Sequence, residues 1–200
     1  MQIFDLEAQG LRELNSTLHA QAANTNQTHW EIVNPKGSHA IAVGLDAPIE
    51  VNIKGSTGYY CAGMNKQATV HVHGSVGPGT AENMMSGMVV VEGDASQYGG
   101  ATGHVGTLVF KVNASLRCGI SMGCGEAGEA LGDSLYEARL FVRGSVKSLG
   151  ADCIEKEMRP EHIAILEELL ERGQCDAKAS EFKRYGSARQ LYNFNIDNAY

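Results

Sequence analysis

Two histidines separated by one residue, His71 and His73, are the first residues in this chain whose types and spacing could do chemistry. On a strand that spacing puts both imidazoles on one face, where they could share a divalent ion such as zinc. The sequence offers no evident third ligand. The residues at matching stations of a repeat, Asn52 with Val90 and Lys54 with Glu92, describe an outward face that is solvated or interfacial. Cys118 and Cys124, with Glu126 and Asp133, could be assembled into a redox or metal constellation, although their spacing matches no ligand pattern. Gly123-Cys-Gly-Glu-Ala-Gly128 has the G-x-G-x-x-G form of a dinucleotide-binding turn. That turn needs a strand before it and a helix opening at its last glycine, so that amides and helix dipole meet a pyrophosphate. Cys61 follows Tyr59-Tyr60; as a nucleophile it would need a helix N-terminus or a cationic neighbour, and the sequence locates neither.

Each of these groups depends on the elements that carry it, and those elements repeat. Val-Asn-Ile-Lys-Gly at 51–55, Val-His-Val-His-Gly at 70–74 and Val-Val-Val-Glu-Gly at 89–93 recur every nineteen residues. A fixed period longer than one strand is the mark of a solenoid, in which no coil has a core of its own and each covers its neighbour. Taking Gly55, Gly74, Gly93, Val112, Gly125 and Gly144 as coil origins, the position four before holds Val51, Val70, Val89, Leu108 and Leu140, and the position two before holds Ile53, Val72, Val91, Phe110 and Val142. Immediately before the origin stand Lys54, His73, Glu92, Lys111 and Arg143. Alternation in register from coil to coil is what a parallel ladder with one face inward requires.

Small residues form columns as well. Ala62, Ala81, Gly100, Gly119, Gly132 and Ala151 lie seven after the origin, and Ala68, Gly87, Gly106 and Ala138 thirteen after it. Such residues suit sharp turns where Cβ would crowd the next coil, and three corners per period predict a three-sided β-helix. Gly125, Gly128 and Gly132 fall in this register, with no βαβ unit around them, so the G-x-G-x-x-G match reads as corner glycines. The expected architecture is all-β: a right-handed, single-stranded parallel β-helix of six to seven coils, on the order of 30 Å tall, with N- and C-terminal helices covering ends that would otherwise invite wrong pairing. Gly125 follows Val112 by only thirteen residues, so either one coil is truncated near Met122 to Cys124 or a looped-out segment is missing there.

The flanks read as helices. Leucines at 6, 11, 14 and 18 give a stripe from Asp5, a possible N-cap, to about Ala20; Pro160 opens a second helix whose inward set is Ile163, Leu166, Leu169 and Leu170 and whose stop is Gly173. The divisions are therefore 1–28 for an N-terminal helix and connector, 29–158 for the β-helix, and 159–200 for a C-terminal helix and extended tail. The aromatic stretch from Tyr185 to Tyr200 either packs along its own rod or serves as a docking arm.

Composition narrows the function classes. The 200 residues carry a net charge of −7 with no run of three Lys or Arg, which argues against a nucleic-acid partner because phosphate tracking needs clustered cations. The chain has neither a signal-peptide pattern nor a bilayer-spanning apolar run. Its five cysteines, at 61, 118, 124, 153 and 175, lack C-x-x-C spacing and suit a reduced compartment as buried apolar thiols. A soluble, cytoplasmic protein is expected.

The glycine pattern Gly55-x-x-Gly58-x-x-x-Ala62-Gly63, repeated as Gly74-x-x-Gly77 and Gly125-x-x-Gly128-x-x-x-Gly132, resembles the GXGXG repeat family. Members close the large subunit of glutamate synthase and also occur within formylmethanofuran dehydrogenase. The stretches 58–68, 82–87, 128–139 and 144–152 resemble the free-standing version, the small β-helix component of N-methylglutamate synthases, and the likeness covers essentially the whole chain. The resemblance implies a structural subunit beside a class II amidotransferase-like subunit and an FMN-binding, glutamate-synthase-like subunit, which carry the chemistry. Methylamine and glutamate would become N-methylglutamate and ammonia. It places FMN in a partner and carries no catalytic, cofactor-binding or metal residue onto this chain. It also implies a longer segment in relatives between Met122 and Cys124. Two alternatives remain: the scaffold of another amidotransferase-type complex, or a self-contained enzyme or ligand-binding protein with a site between Arg117 and Asp133.

Overall fold

In the computed structural model, which describes residues 1–116, 120–123, 125–133 and 138–188, the alternating segments form one ladder. Its strands are β1 (Gln2–Asp5), β2 (His29–Val33), β3 (Glu50–Lys54), β4 (Thr69–Val72), β5 (Met88–Val91), β7 (Thr107–Phe110), β9 (Ile120–Gly123) and β10 (Arg139–Val142), paired in parallel in that order. The inward columns predicted from the period are buried: Val51, Val70, Val89 and Leu140 are fully covered, as are Ile53, Val72, Val91 and Phe110. A shorter pair, β6 (Ala95–Gly99) and β8 (Ala114–Leu116), makes a second side of the coil. Bridges Thr57↔Val76, Val76↔Ala95 and Ala127↔Val146 extend that side.

Four steps of the ladder have the full nineteen-residue length: Glu50 to Thr69, Thr69 to Met88, Met88 to Thr107, and Ile120 to Arg139. The structure is thus a parallel solenoid of about four regular turns, fewer than the six to seven coils expected. The step from Thr107 to Ile120 is thirteen residues long. Met122 and Gly123 are consecutive members of β9, in register with Val109 and Phe110 on one side and Phe141 and Val142 on the other, so the thirteen-residue step rejoins the ladder with its pairing intact. The inward station opposite Phe110, the bulkiest residue of its column, is Gly123, a large-beside-small pairing that keeps the interior filled.

The small-residue columns have a backbone cause. Seven after the origin, Ala62, Ala81, Gly100 and Gly132 all have positive φ, between 54° and 69°. The stations on either side share it: Tyr60, Gly79, Tyr98 and Ala130 five after, and Met64, Asn83 and Thr102 nine after. Every second residue of this corner is therefore left-handed, a conformation costing an L-residue roughly 1–2 kcal/mol. Hydrogen bonds between coils offset that cost. Tyr60 N donates to Pro78 O (2.9 Å) and Met64 N to Glu82 O (2.7 Å) in the following coil, whereas Ala62 N donates to Ile41 O (2.9 Å) in the preceding one. At the origin Gly144 glycine is required by close approach, because a Cβ there would lie 2.5 Å from Gly125 O.

Both flanks differ from expectation in informative ways. The first residues form β1, which pairs with β2, and the helix α1 is shorter, Leu11–His19, with Gly10 at its N-cap. Asp5 does not cap it; its Oδ1 accepts from Glu7 N and Asn34 Nδ2, both at 2.9 Å. Leu14 and Leu18 enter the solenoid interior, and Asn15 holds the first turn by donating to Ala40 O and accepting from Ala42 N. The second helix α2, Pro160–Arg172, begins and stops where the proline and Gly173 place it, but buries His162 with Leu166, Leu169 and Leu170 and leaves Ile163 37% exposed.

Nor does α2 cover an end. It lies on the outer face of the sheet, against Met88, Val90, Val109 and Phe141. The outward column Asn52, His71, Val90, Val109, Phe141 turns from polar to apolar at Val90, and the helix covers the apolar part. The far edge is closed by strands instead. β11 (Cys153–Lys156) and β12 (Lys183–Ser187) complete the sheet in the order β10-β12-β11, with β12 antiparallel to both neighbours. A 3₁₀ turn, Ala179–Glu181, leads into β12, whose Arg184 and Tyr185 are buried. The tail is therefore structural through Ser187, and residues 189–200 lie outside the described part.

Candidate functional site

Two surfaces gather chemistry-bearing groups. The first is the half of the outer face that α2 leaves open. Because β4 and β5 pair Val72 with Val91, Glu92 stands one tier along from His73 in the same column. The two imidazoles stack at 4.2 Å between centroids. His71 Nε2 lies 2.5 Å from Glu92 Oε1, and Lys111 Nζ donates to that same oxygen at 2.8 Å. His73 Nε2 is 3.0 Å from Asn52 Oδ1 and 3.3 Å from Lys54 Nζ. Burial, His71 and Lys54 together hold His73 below the ordinary histidine value. Burial alone would raise Glu92, but Lys111 and His71 outweigh it and keep the carboxylate ionised to lower pH than usual. The structure thus supplies the third ligand type that the sequence reading did not find. The signal was present, since Glu92 is His73 advanced by one period.

The second surface is the left-handed corner. His39, Tyr59, Tyr60, Pro78, Glu82 and Tyr98 line an open cleft of about 410 Å³. His39 and Tyr59 stack at 4.0 Å, and Tyr59 N donates to His39 Nδ1 at 3.2 Å. Asn83 Nδ2 donates to the Tyr60 hydroxyl, and Thr102 Oγ1 to Asn83 Oδ1, tying three coils together. Tyr59, Tyr98, Met64 and Met85 are each about half exposed along this corner. Tyrosine and methionine presented this way supply large contact area and adaptable packing, the residue types enriched at the centres of protein interfaces.

The remaining candidates do not assemble. Cys61 is fully buried and its thiol is pushed up to about 12 by that burial, which removes it as a nucleophile. Cys153, buried beside β12, is pushed up to about 11 for the same reason. Gly125, at the centre of the G-x-G-x-x-G match, stacks on Val112, where a Cβ would meet backbone at 2.5 Å. No helix opens at Gly128; Ala127 bridges Val146 and the next described elements are strands. Arg117, Cys118 and Cys124 lie outside the described residues, so the constellation with Glu126 and Asp133 does too. No helix among the described residues is long and apolar enough to cross a membrane.

Neither a family model nor a solved structure matches the chain. A curated relative does: Protein GlxC of Rhizobium meliloti (strain 1021) is 59% identical over 231 aligned residues, covering 100% of this chain and 99% of that protein. Since 231 aligned positions exceed the 200 residues of this chain, the relative carries roughly thirty further residues within the aligned span. With identity at this level along the entire length, the chain belongs to the family of Protein GlxC.

Proposed function

We propose that this protein is a non-catalytic structural subunit of a glutamate-synthase-like multi-subunit enzyme, most directly an N-methylglutamate synthase that turns methylamine and glutamate into N-methylglutamate and ammonia. In this reading it is a right-handed β-helix in the cytoplasm that seats a class II amidotransferase-like subunit against an FMN-binding, glutamate-synthase-like subunit, and FMN belongs to the latter. The observation that carries the proposal is the origin column itself. Gly74 on Gly55, Gly93 on Gly74, and Gly144 on Gly125 stack backbone to backbone, which is the physical content of the GXGXG repeat that the sequence resembles. Supporting it, the coil interior is packed with apolar side chains, among them Trp30, Ile53, Val72 and Phe110. The chemistry-bearing groups lie outside, where a partner would meet them.

The test is reconstitution. Co-expressed with an amidotransferase-like and an FMN-synthase-like subunit, the tagged chain should retain both, and methylamine-dependent synthesis should require all three. Methylamine-dependent turnover by the chain alone, or full activity of the other two without it, would overturn the reading. Removal of residues 189–200 tests the docking arm separately, because β12 stays intact: lost co-purification from a folded rod supports an arm, and unchanged co-purification refutes it.

A further inference from the structure

We propose that His71, His73 and Glu92 bind a divalent transition-metal ion on the open half of the outer face. One ligand atom from each of the three lies within 4.8 Å of the others, and among the described residues this is the group of histidine, cysteine and acidic side chains that comes together so closely. Three ligands around a metal at about 2.0–2.2 Å stand roughly 3.4 Å apart, so to close the site the stacked imidazoles must turn about their side-chain torsions until their ligand nitrogens converge on one point. Two imidazoles and one carboxylate suit a borderline ion such as zinc or cobalt rather than magnesium or calcium, which take oxygen ligands. Three protein ligands also leave a coordination position open to water or to a partner's side chain.

The scaffold preorganises this set. His71 lies in β4, His73 follows it, and Glu92 follows β5, so the ladder register sets their separation. The His71 and Glu92 side chains are 17% and 32% exposed, open enough for an ion to enter yet restrained by neighbours. Lys111 holds Glu92 through one oxygen. A carboxylate has two, so Glu92 can ligate with one and keep Lys111 on the other, the outer contact that ligating carboxylates commonly have. Lys54 is the opposing group: its ammonium sits 3.3 Å from His73 Nε2 and must swing away when a cation arrives. That predicts variants of opposite sign around one site.

The experiment uses the full chain, stripped with a chelator and titrated with Co²⁺ by absorption and with Zn²⁺ in competition with a chromogenic chelator. One ion per chain is expected, with a ligand-field spectrum free of thiolate charge-transfer bands. His71→Ala, His73→Ala and Glu92→Gln should each weaken binding at least tenfold while circular dichroism stays unchanged. Lys54→Met, which removes the competing charge together with its ion pair to Glu31 at 3.7 Å, should strengthen it several-fold. No binding by the wild type, a thiolate signature, or equal affinity in a folded His71→Ala/His73→Ala double variant would overturn the proposal. So would unchanged or weaker affinity in Lys54→Met.

Discussion

Replacing Gly74 with alanine tests whether the glycine column is what lets the coils stack. Gly74 needs no left-handed φ, so any cost comes from the added methyl group alone. That carbon would lie 2.6 Å from Gly55 C, 2.6 Å from Ser56 N and 2.8 Å from Gly55 O, against an ordinary contact near 3.4 Å. The two tiers must separate locally by about 0.6–0.8 Å. Three hydrogen bonds span that gap: His73 N to Ile53 O (2.9 Å), Thr57 N to Ser75 O (2.9 Å) and Ser75 N to Ser56 Oγ (3.0 Å). Stretched by that amount they pass out of useful range, a loss of roughly 1.5–4.5 kcal/mol at about 0.5–1.5 each. Alanine regains about 0.4–1 kcal/mol by restricting the unfolded chain, leaving a destabilisation of roughly 0.5–4 kcal/mol. Gly186→Ala is the matched control. It sits in β12 with no contact nearer than 3.5 Å, so it should be neutral or stabilising by about 0.5 kcal/mol. Urea unfolding followed by circular dichroism gives both values. If Gly74→Ala is no less stable than Gly186→Ala, the stacking argument fails.

Three further outcomes are expected. Phe141→Ala should cost about 3–5 kcal/mol, because Phe141 is fully buried between the sheet and α2; protease cutting in the 160–172 helix should accelerate with it, and an unaltered cleavage rate would show that the helix is held by something else. His162 is buried, and burial together with Arg184 holds it below its ordinary value of 6.5, while its Nδ1 accepts from Arg159 N at 3.2 Å. The unfolded chain therefore binds the extra proton below about pH 6.5, so stability falls as pH drops through that point and recovers above it; His162→Gln, which keeps an acceptor but cannot titrate, should flatten that part of a urea-midpoint profile. Cys61 and Cys153, buried with raised thiol values, should resist iodoacetamide at neutral pH in the native protein and react once it is denatured, as read by peptide mass.

The ladder was legible because its evidence is local and repeated: Val51, Val70, Val89 and Leu108 share a station and share a fate. Positions along the period were read well, and placement around it was not. Leu6 and Leu11 continue the spacing of Leu14 and Leu18, so the stripe ran back to Asp5, although the residues up to Asp5 pair as a strand. The seat of α2 was written in Val90, Val109 and Phe141, the apolar part of a column that begins polar at Asn52 and His71, but one such residue looks like noise until the column is followed to its end. The third member of the histidine cluster was missed for a related reason. Ligand patterns are sought within a few residues, whereas in a solenoid the neighbour of residue i is also residue i+19, and His73 and Glu92 are neighbours in that sense.

The thirteen-residue step has a consequence for how such a molecule can change size. Because β9 keeps register with both β7 and β10, one coil is six residues shorter in girth than its nineteen-residue neighbours without altering the rise of the stack. Material added or removed within a turn changes the silhouette sideways. Only a whole turn changes the axial distance, and then in steps of about 4.8 Å. A relative with roughly thirty more internal residues can therefore differ in the outline it offers at its flank while holding whatever sits at its two ends at separations drawn from the same discrete scale.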